Sequence, residues 1–96
     1  MDEELADQSH EIIELYKRHV PDYLVALGSA VGAGDLEAIS FQAHKLCSAM
    51  KAVGKMDIAS LLENMQRPDI ATSDCESLFA QVEGRIKESL AKLAET

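Results

Sequence analysis

The sequence has little of what marks several large classes of protein. Tryptophan is absent, and two tyrosines and two phenylalanines are the only aromatic residues among 96. No apolar run approaches the roughly 18 residues that a membrane-spanning helix needs. The opening residues, Met1-Asp2-Glu3-Glu4, are acidic and are not followed by the apolar segment of a signal peptide. We therefore expect a protein with no membrane association and no secretion signal.

Cysteine is also scarce. Cys47 and Cys75 are the only two in the chain, and they do not form a closely spaced pair. A protein stabilised by a disulfide framework has more cysteines at shorter spacings. The cysteine content thus predicts a protein of a reducing compartment, which we take to be the cytoplasm.

Basic residues are fewer than acidic residues in this chain. The chain has 9 Lys and Arg against 17 Asp and Glu, a formal net charge of −8. Phosphate backbones would repel such a chain, so a nucleic-acid partner is disfavoured. There is no glycine-rich phosphate loop, no nucleotide fingerprint and no nucleophile with a matched base. We expect neither an ATP-dependent kinase nor another enzyme, and no cofactor.

Helical periodicity is what the sequence does contain. It predicts one domain, residues 1–96, with five helices over about 2–19, 21–32, 35–54, 55–66 and from 73 onward. Pro21 suits the first turn of a helix, Asp35 is a potential N-cap, and Ser73 to Glu76 matches a capping box. The expected fold is all-α: an antiparallel four-helix bundle with an additional N-terminal helix. The residues expected to be buried are Leu5, Ile12, Ile13, Leu15, Tyr16, Leu24, Leu27, Val31, Leu36, Ile39, Ala43, Leu46, Met50, Val53, Ile58, Leu61, Leu62, Met65, Leu78, Phe79, Val82, Ile86, Leu90 and Leu93.

The third predicted helix places one histidine opposite its buried face. At 100° per residue, His44 points roughly 140° away from the centre of the apolar stripe, so it should face solvent. Ser40, Ser48, Lys51 and Lys55 fall within about 40° of His44 if the helix continues that far. Together with Lys45, the two lysines Lys51 and Lys55 predict a basic patch on an acidic protein. Such a patch is either a solvated helix face or a site for an anion or an acidic partner.

An exposed imidazole among lysines can carry a phosphoryl group. Neutral imidazole is a good nucleophile near neutral pH, and ammonium groups nearby would balance the charge of the phosphoryl oxygens. The alternatives are an ordinary surface histidine and a metal ligand, since His44 and Cys47 are three residues apart on a helix. A metal site needs further ligands, and the sequence has no second matched pair, so we expect no metal.

Residues 35–66 resemble the histidine-containing phosphotransfer (HPt) domain family. The resemblance lies in Asp35 as the helix cap, in Ala43-His44-Lys45-Leu46, and in Val53-Gly54 at the family's distance from the histidine. It implies a four-helix bundle in which His44 accepts a phosphoryl group from a receiver-domain aspartate and passes it to another receiver. The implied partners are response-regulator receiver domains, a hybrid histidine kinase, or both.

Two positions depart from the family pattern. Cys47 stands where the family usually has lysine, and Ser48 stands where it often has glycine. Ser48 is still small enough to leave the imidazole accessible. Lys51, almost in line with His44, could replace the missing lysine. The other expected phosphoryl-binding or partner-binding residues are Lys45, Lys55, Phe41, Ser48 and Cys47.

Three alternatives remain open from the sequence. Cys47 is expected on the flank of its helix, half-buried, with either a packing or a redox role. Phe41 is either part of an apolar docking surface or a solvent-edge aromatic. The whole domain could be a helical module that binds a receiver or kinase without being phosphorylated. A complete four-helix core gives no reason for a dimer, so we expect a monomer.

Overall fold

The computed structural model describes the backbone of residues 2–95 and the side chains of Glu11 and of residues 13–92. Over this range the chain forms α1 (Asp2–Ala33), α2 (Leu36–Ala52), α3 (Met56–Asn64) and α4 (Thr72–Glu95), with no strand. Helices α1 and α3 each pack against both α2 and α4. The short connections make consecutive helices antiparallel, so α2 and α4 lie diagonally across an all-α bundle.

Helix α1 is continuous through Pro21. The predicted break between residues 19 and 21 is therefore wrong, and the expected additional helix is the N-terminal half of α1. An interior proline removes a backbone hydrogen bond and costs about 3 kcal/mol or more. Tertiary packing offsets this cost, because Tyr16, Val20 and Leu24 bury one continuous stripe on both sides of the proline.

The two ends of α2 follow the predicted local signals. Asp35 caps the helix, and its Oδ1 accepts a hydrogen bond of 3.2 Å from the Ala38 amide. Gly34 and Gly54 have φ angles of 67° and 77°, in the left-handed region that favours glycine. Beyond Gly54 the Lys55 amide donates to the Met50 carbonyl at 2.8 Å, which closes the C-terminal turn.

The predicted capping box of α4 is wrong. The helix begins at Thr72, so Ser73 already lies in its first turn. The amides of Asp74 and Cys75 both donate to the Ala71 carbonyl, 3.1 Å away. The start of α4 is thus stabilised by backbone hydrogen bonds, and the Cys75 side chain is buried beside it.

The core contains most of the predicted apolar residues. Buried hydrophobic residues are Tyr16, Val20, Leu24, Leu27, Ala30, Val31, Ile39, Ala43, Leu46, Cys47, Met50, Ile58, Ala59, Leu62, Met65, Ile70, Cys75, Val82 and Ile86. Leu15 and Leu36, predicted to be buried, are 52% and 42% exposed. Leu15 is turned away because Tyr16 faces α4, where its hydroxyl donates to Ser89 Oγ at 3.1 Å. Leu36 lies at the first turn of α2. Leu5, Ile12 and Leu93 lie outside the described side chains.

Candidate functional site

His44 lies near the middle of α2, and its side chain is exposed. Its neighbours Ala43 and Leu46 are both fully buried, so they fix which face of α2 packs into the core. The imidazole is held on the opposite face of a helix that is anchored by its core contacts. This is the orientation predicted from helical geometry.

On the α1 side of His44, a lysine lies between two aromatic rings. Lys45 Nζ is 5.0 Å from the ring centroid of Phe41 and 5.9 Å from that of Tyr23, distances of cation–π contacts. The His19 ring stacks on Tyr23 with centroids 6.2 Å apart. We call His19, Tyr23, Phe41 and Lys45 the aromatic edge. Tyr23 and His19 were not predicted as site residues, because only the packing of α1 on α2 brings them there.

An apolar cleft continues from the aromatic edge. It has a volume of about 260 Å³ and lies between α1 and the C-terminal half of α2. We call it the α1–α2 cleft, and its lining residues are Leu15, Tyr16, His19, Val20, Tyr23, Ala49, Ala52 and Val53. Leu15 in this lining is 52% exposed. The exposed Phe41 is connected to the cleft through Lys45, whose ammonium lies over the rings of both Phe41 and Tyr23. The surface on the α1 side of His44 is therefore largely apolar.

On the α3 side of His44, an ion pair joins two helices. Lys51 Nζ lies 2.9 Å from Glu63 Oε1 of α3. The hydrogen bond to Glu63, followed by its negative charge, raises the pKa of Lys51. Lys51 thus remains fully charged, but its ammonium has a carboxylate partner. Glu63 was not predicted as a site residue, since no local signal in the sequence indicates which residue of α3 faces Lys51.

Cys47 is a core residue. It is 4% exposed, and its thiol donates to the Ala59 carbonyl of α3 at 3.5 Å. Burial raises the pKa of the Cys47 thiol, with a smaller opposing effect from Lys51. The prediction of a half-buried side chain is wrong, because Cys47 packs between α2 and α3. Its expected role in partner binding stays a prediction, and the buried thiol offers almost no surface for it. Cys47 and Cys75 are both free thiols.

Ser48 and Lys55 differ in their relation to His44. Ser48 is exposed one turn after His44 on the same helix. Lys55 lies beyond the end of α2, so the helix does not continue far enough to align it with His44. It lines a polar cleft with Asp57 and Arg85 instead. The structure therefore brings Ser48 to the site but does not bring Lys55 there.

Two absences from the described part of the chain bear on other functions. Within residues 2–95, no helix is both long and apolar enough to cross a membrane. Among the side chains that the structure describes, no group of three or more histidine, cysteine, aspartate or glutamate residues is arranged to hold a metal ion.

The geometry agrees with the result of a comparison with protein families. The family model of the Hpt domain matches residues 11–96, nearly the whole chain. The chain therefore belongs to the Hpt domain family, whose members carry phosphoryl groups on histidine in two-component phosphorelays. These domains are phosphotransfer carriers rather than kinases. Comparisons with curated proteins and with solved structures found no significant match.

Proposed function

We propose that His44 is the residue that carries the phosphoryl group. It accepts the group from an aspartyl phosphate of one receiver domain and passes it to the aspartate of another. The observation that carries this proposal is the exposure of a single imidazole in the middle of α2, between the aromatic edge and Lys51.

The reaction needs only one group from this chain. The ring nitrogen of His44 without a proton attacks phosphorus, and a P–N bond forms as the P–O bond of the aspartyl phosphate breaks. The electron pair of that bond leaves with the aspartate carboxylate, while the other ring nitrogen keeps its proton. The reverse sequence passes the group to the next receiver. The receiver supplies its acidic pocket and Mg²⁺, which stabilise the transferring group.

Two lysines adjust the charge around His44. The phosphoryl group adds about −1.5 to −2 charges near neutral pH. Lys51 lies two turns along the same face and Lys45 lies on the α1 side, so their ammonium groups offset part of this charge. Ser48 leaves space in front of the ring because its side chain is small.

The docking surface consists of the aromatic edge and the α1–α2 cleft. Phe41 is 59% exposed and shares the Lys45 ammonium with Tyr23, which lines the cleft, so its ring adds to an apolar surface that a partner can cover. Lys45 faces outward beside Phe41 and can pair with the acidic residues that surround a receiver's aspartate. We infer a monomeric cytoplasmic carrier whose partners are receiver domains, a hybrid histidine kinase, or both.

The test is phosphoryl transfer from candidate phosphorylated receivers. We expect acid-labile label on the wild-type protein and none on His44→Gln or His44→Ala, with unchanged helical circular dichroism. His10→Gln removes a histidine outside α2 and serves as the control, which should be labelled like the wild type. Label retained by both His44 variants would contradict the proposal.

A second candidate function follows from Cys47. The position that usually supplies a lysine in this family holds a buried thiol, so it adds no cation beside His44. This favours a module that binds a receiver or kinase without being phosphorylated. Stable binding of a phosphorylated receiver with no label on any histidine would support this alternative.

A further inference from the structure

We propose that Glu63 is a positioning residue that lowers the stability of phosphorylated His44 by holding Lys51 against α3. This inference rests on the proposed function of His44. It concerns a residue outside the expected site, and it starts from the ion pair that joins α2 to α3.

The contact between the two side chains is short and accessible. Lys51 Nζ and Glu63 Oε1 are 2.9 Å apart, and the side chains are 50% and 54% exposed. An ion pair that is this exposed contributes little to the stability of a fold, because water competes for both charges. The pair can therefore open and exchange partners without disturbing the bundle.

The position of Lys51 makes it the cation for which two anions compete. It lies about 10 Å along the axis of α2 from His44 and only about 20° away around the helix. A phosphoryl group on His44 would attract its ammonium, while Glu63 attracts it toward α3. Lys45 does not face the same choice, because its ammonium lies over the rings of Phe41 and Tyr23 on the other side.

The exchange involves no covalent step of its own. On phosphorylation, the Lys51 ammonium changes one hydrogen bond from the Glu63 carboxylate to a phosphoryl oxygen, and water solvates the carboxylate. The free energy of the Lys51–Glu63 contact is then lost, and an unpaired negative charge remains near the phosphoryl group. Both effects favour passing the group on to a receiver.

The decisive variant is Glu63→Gln, which keeps the shape of the side chain and removes its charge. We expect the equilibrium of reversible transfer with a receiver to shift roughly two- to fivefold toward phosphohistidine, an amount typical of a screened charge at this range. Glu88→Gln breaks a comparable pair with Lys92 on α4, the helix diagonal to α2. This control should leave the equilibrium unchanged.

Making Glu63→Gln in a Lys51→Met variant distinguishes the positioning of Lys51 by Glu63 from direct repulsion between Glu63 and the phosphoryl group. If Glu63 acts by holding Lys51, the effect of Glu63→Gln falls to less than half in that background. Equal effects in both backgrounds would overturn the inference, as would an unchanged equilibrium in the single variant. Thermal unfolding of each variant checks that the bundle is intact. Absence of label on wild-type His44 would overturn the proposed function as well, whereas normal labelling with an unshifted equilibrium would overturn this inference alone.

Discussion

Cys47 departs from the family pattern at a position near His44, but it does not make the His44 imidazole inaccessible. Its thiol fills the space between α2 and α3 and donates to the carbonyl of Ala59. The cation that the family usually has at this position is missing, but the imidazole of His44 remains exposed. The local charge then depends on Lys45 and Lys51, whose ammonium groups are both held by contacts to other helices or rings.

The burial of the thiols predicts slow chemical modification. Burial raises the pKa of Cys47 and of Cys75, so each is less ionised at pH 8 than a free cysteine, whose pKa is about 8.5. We expect native protein to react with a disulfide reagent roughly a hundredfold more slowly than urea-unfolded protein. Rapid reaction of one native thiol would contradict its burial.

At the scale of elements, two glycines lie inside helices but in different surroundings. A Cβ atom added at Gly28 of α1 would lie 2.9 Å from Phe79 Cζ of α4, closer than real Cβ contacts. A Cβ added at Gly84 of α4 would meet nothing within 4 Å. Gly28 therefore allows α1 and α4 to approach each other, whereas Gly84 only weakens its own helix.

This difference predicts that replacing glycine with alanine changes the stability of the protein differently at the two positions. Gly84→Ala should raise the free energy of unfolding by about 0.5–1 kcal/mol, because alanine restricts the unfolded chain and favours the helix. Gly28→Ala should gain less than half of this or lose stability, since the Phe79 ring must move. Urea denaturation of both variants measures the difference. Equal gains would show that Phe79 moves without cost.

At the scale of the whole molecule, an ion pair ties the start of α3 to α4. Arg85 donates to Asp57 Oδ2 at 2.8 Å. A hydrogen bond from the Ile58 amide is the main effect that lowers the pKa of Asp57, and the hydrogen bond from Arg85 lowers it further. Because the folded value lies below the unfolded one, the contribution of Asp57 to stability is present above about pH 4 and is lost as pH falls through the folded value.

Acid titration of stability tests this contribution. Between about pH 5 and pH 2, Asp57→Asn should lose less stability than the wild type, because its side chain cannot take up a proton. Asp69→Asn removes an exposed carboxylate between α3 and α4 and is the charge-matched control. Thermal melts across this range provide the measurement. If the stability of Asp57→Asn falls with decreasing pH as steeply as that of the wild type, other carboxylates dominate the loss of stability in acid.

Local signals in the sequence were sufficient for much of the fold and for the orientation of the central residue. Asp35 caps α2, Gly34 and Gly54 flank it, and the apolar period of α2 places His44 opposite the core. Each of these features depends on residues within one or two turns of one another. Hydrogen bonds at helix ends and a rotation of 100° per residue are sufficient to produce them.

Only the tertiary structure decided the features that depend on contacts between helices. Pro21 does not break α1, because the bundle packs both halves of that helix as one stripe. Lys51 pairs with Glu63 of α3, and Lys45 lies over the Tyr23 ring of α1. The Cys47 thiol is buried against α3, where it donates to the Ala59 carbonyl. A sequence pattern states which face of a helix is apolar. It does not state which residue of a second helix will lie against that face, because register and crossing angle follow from packing of the whole core.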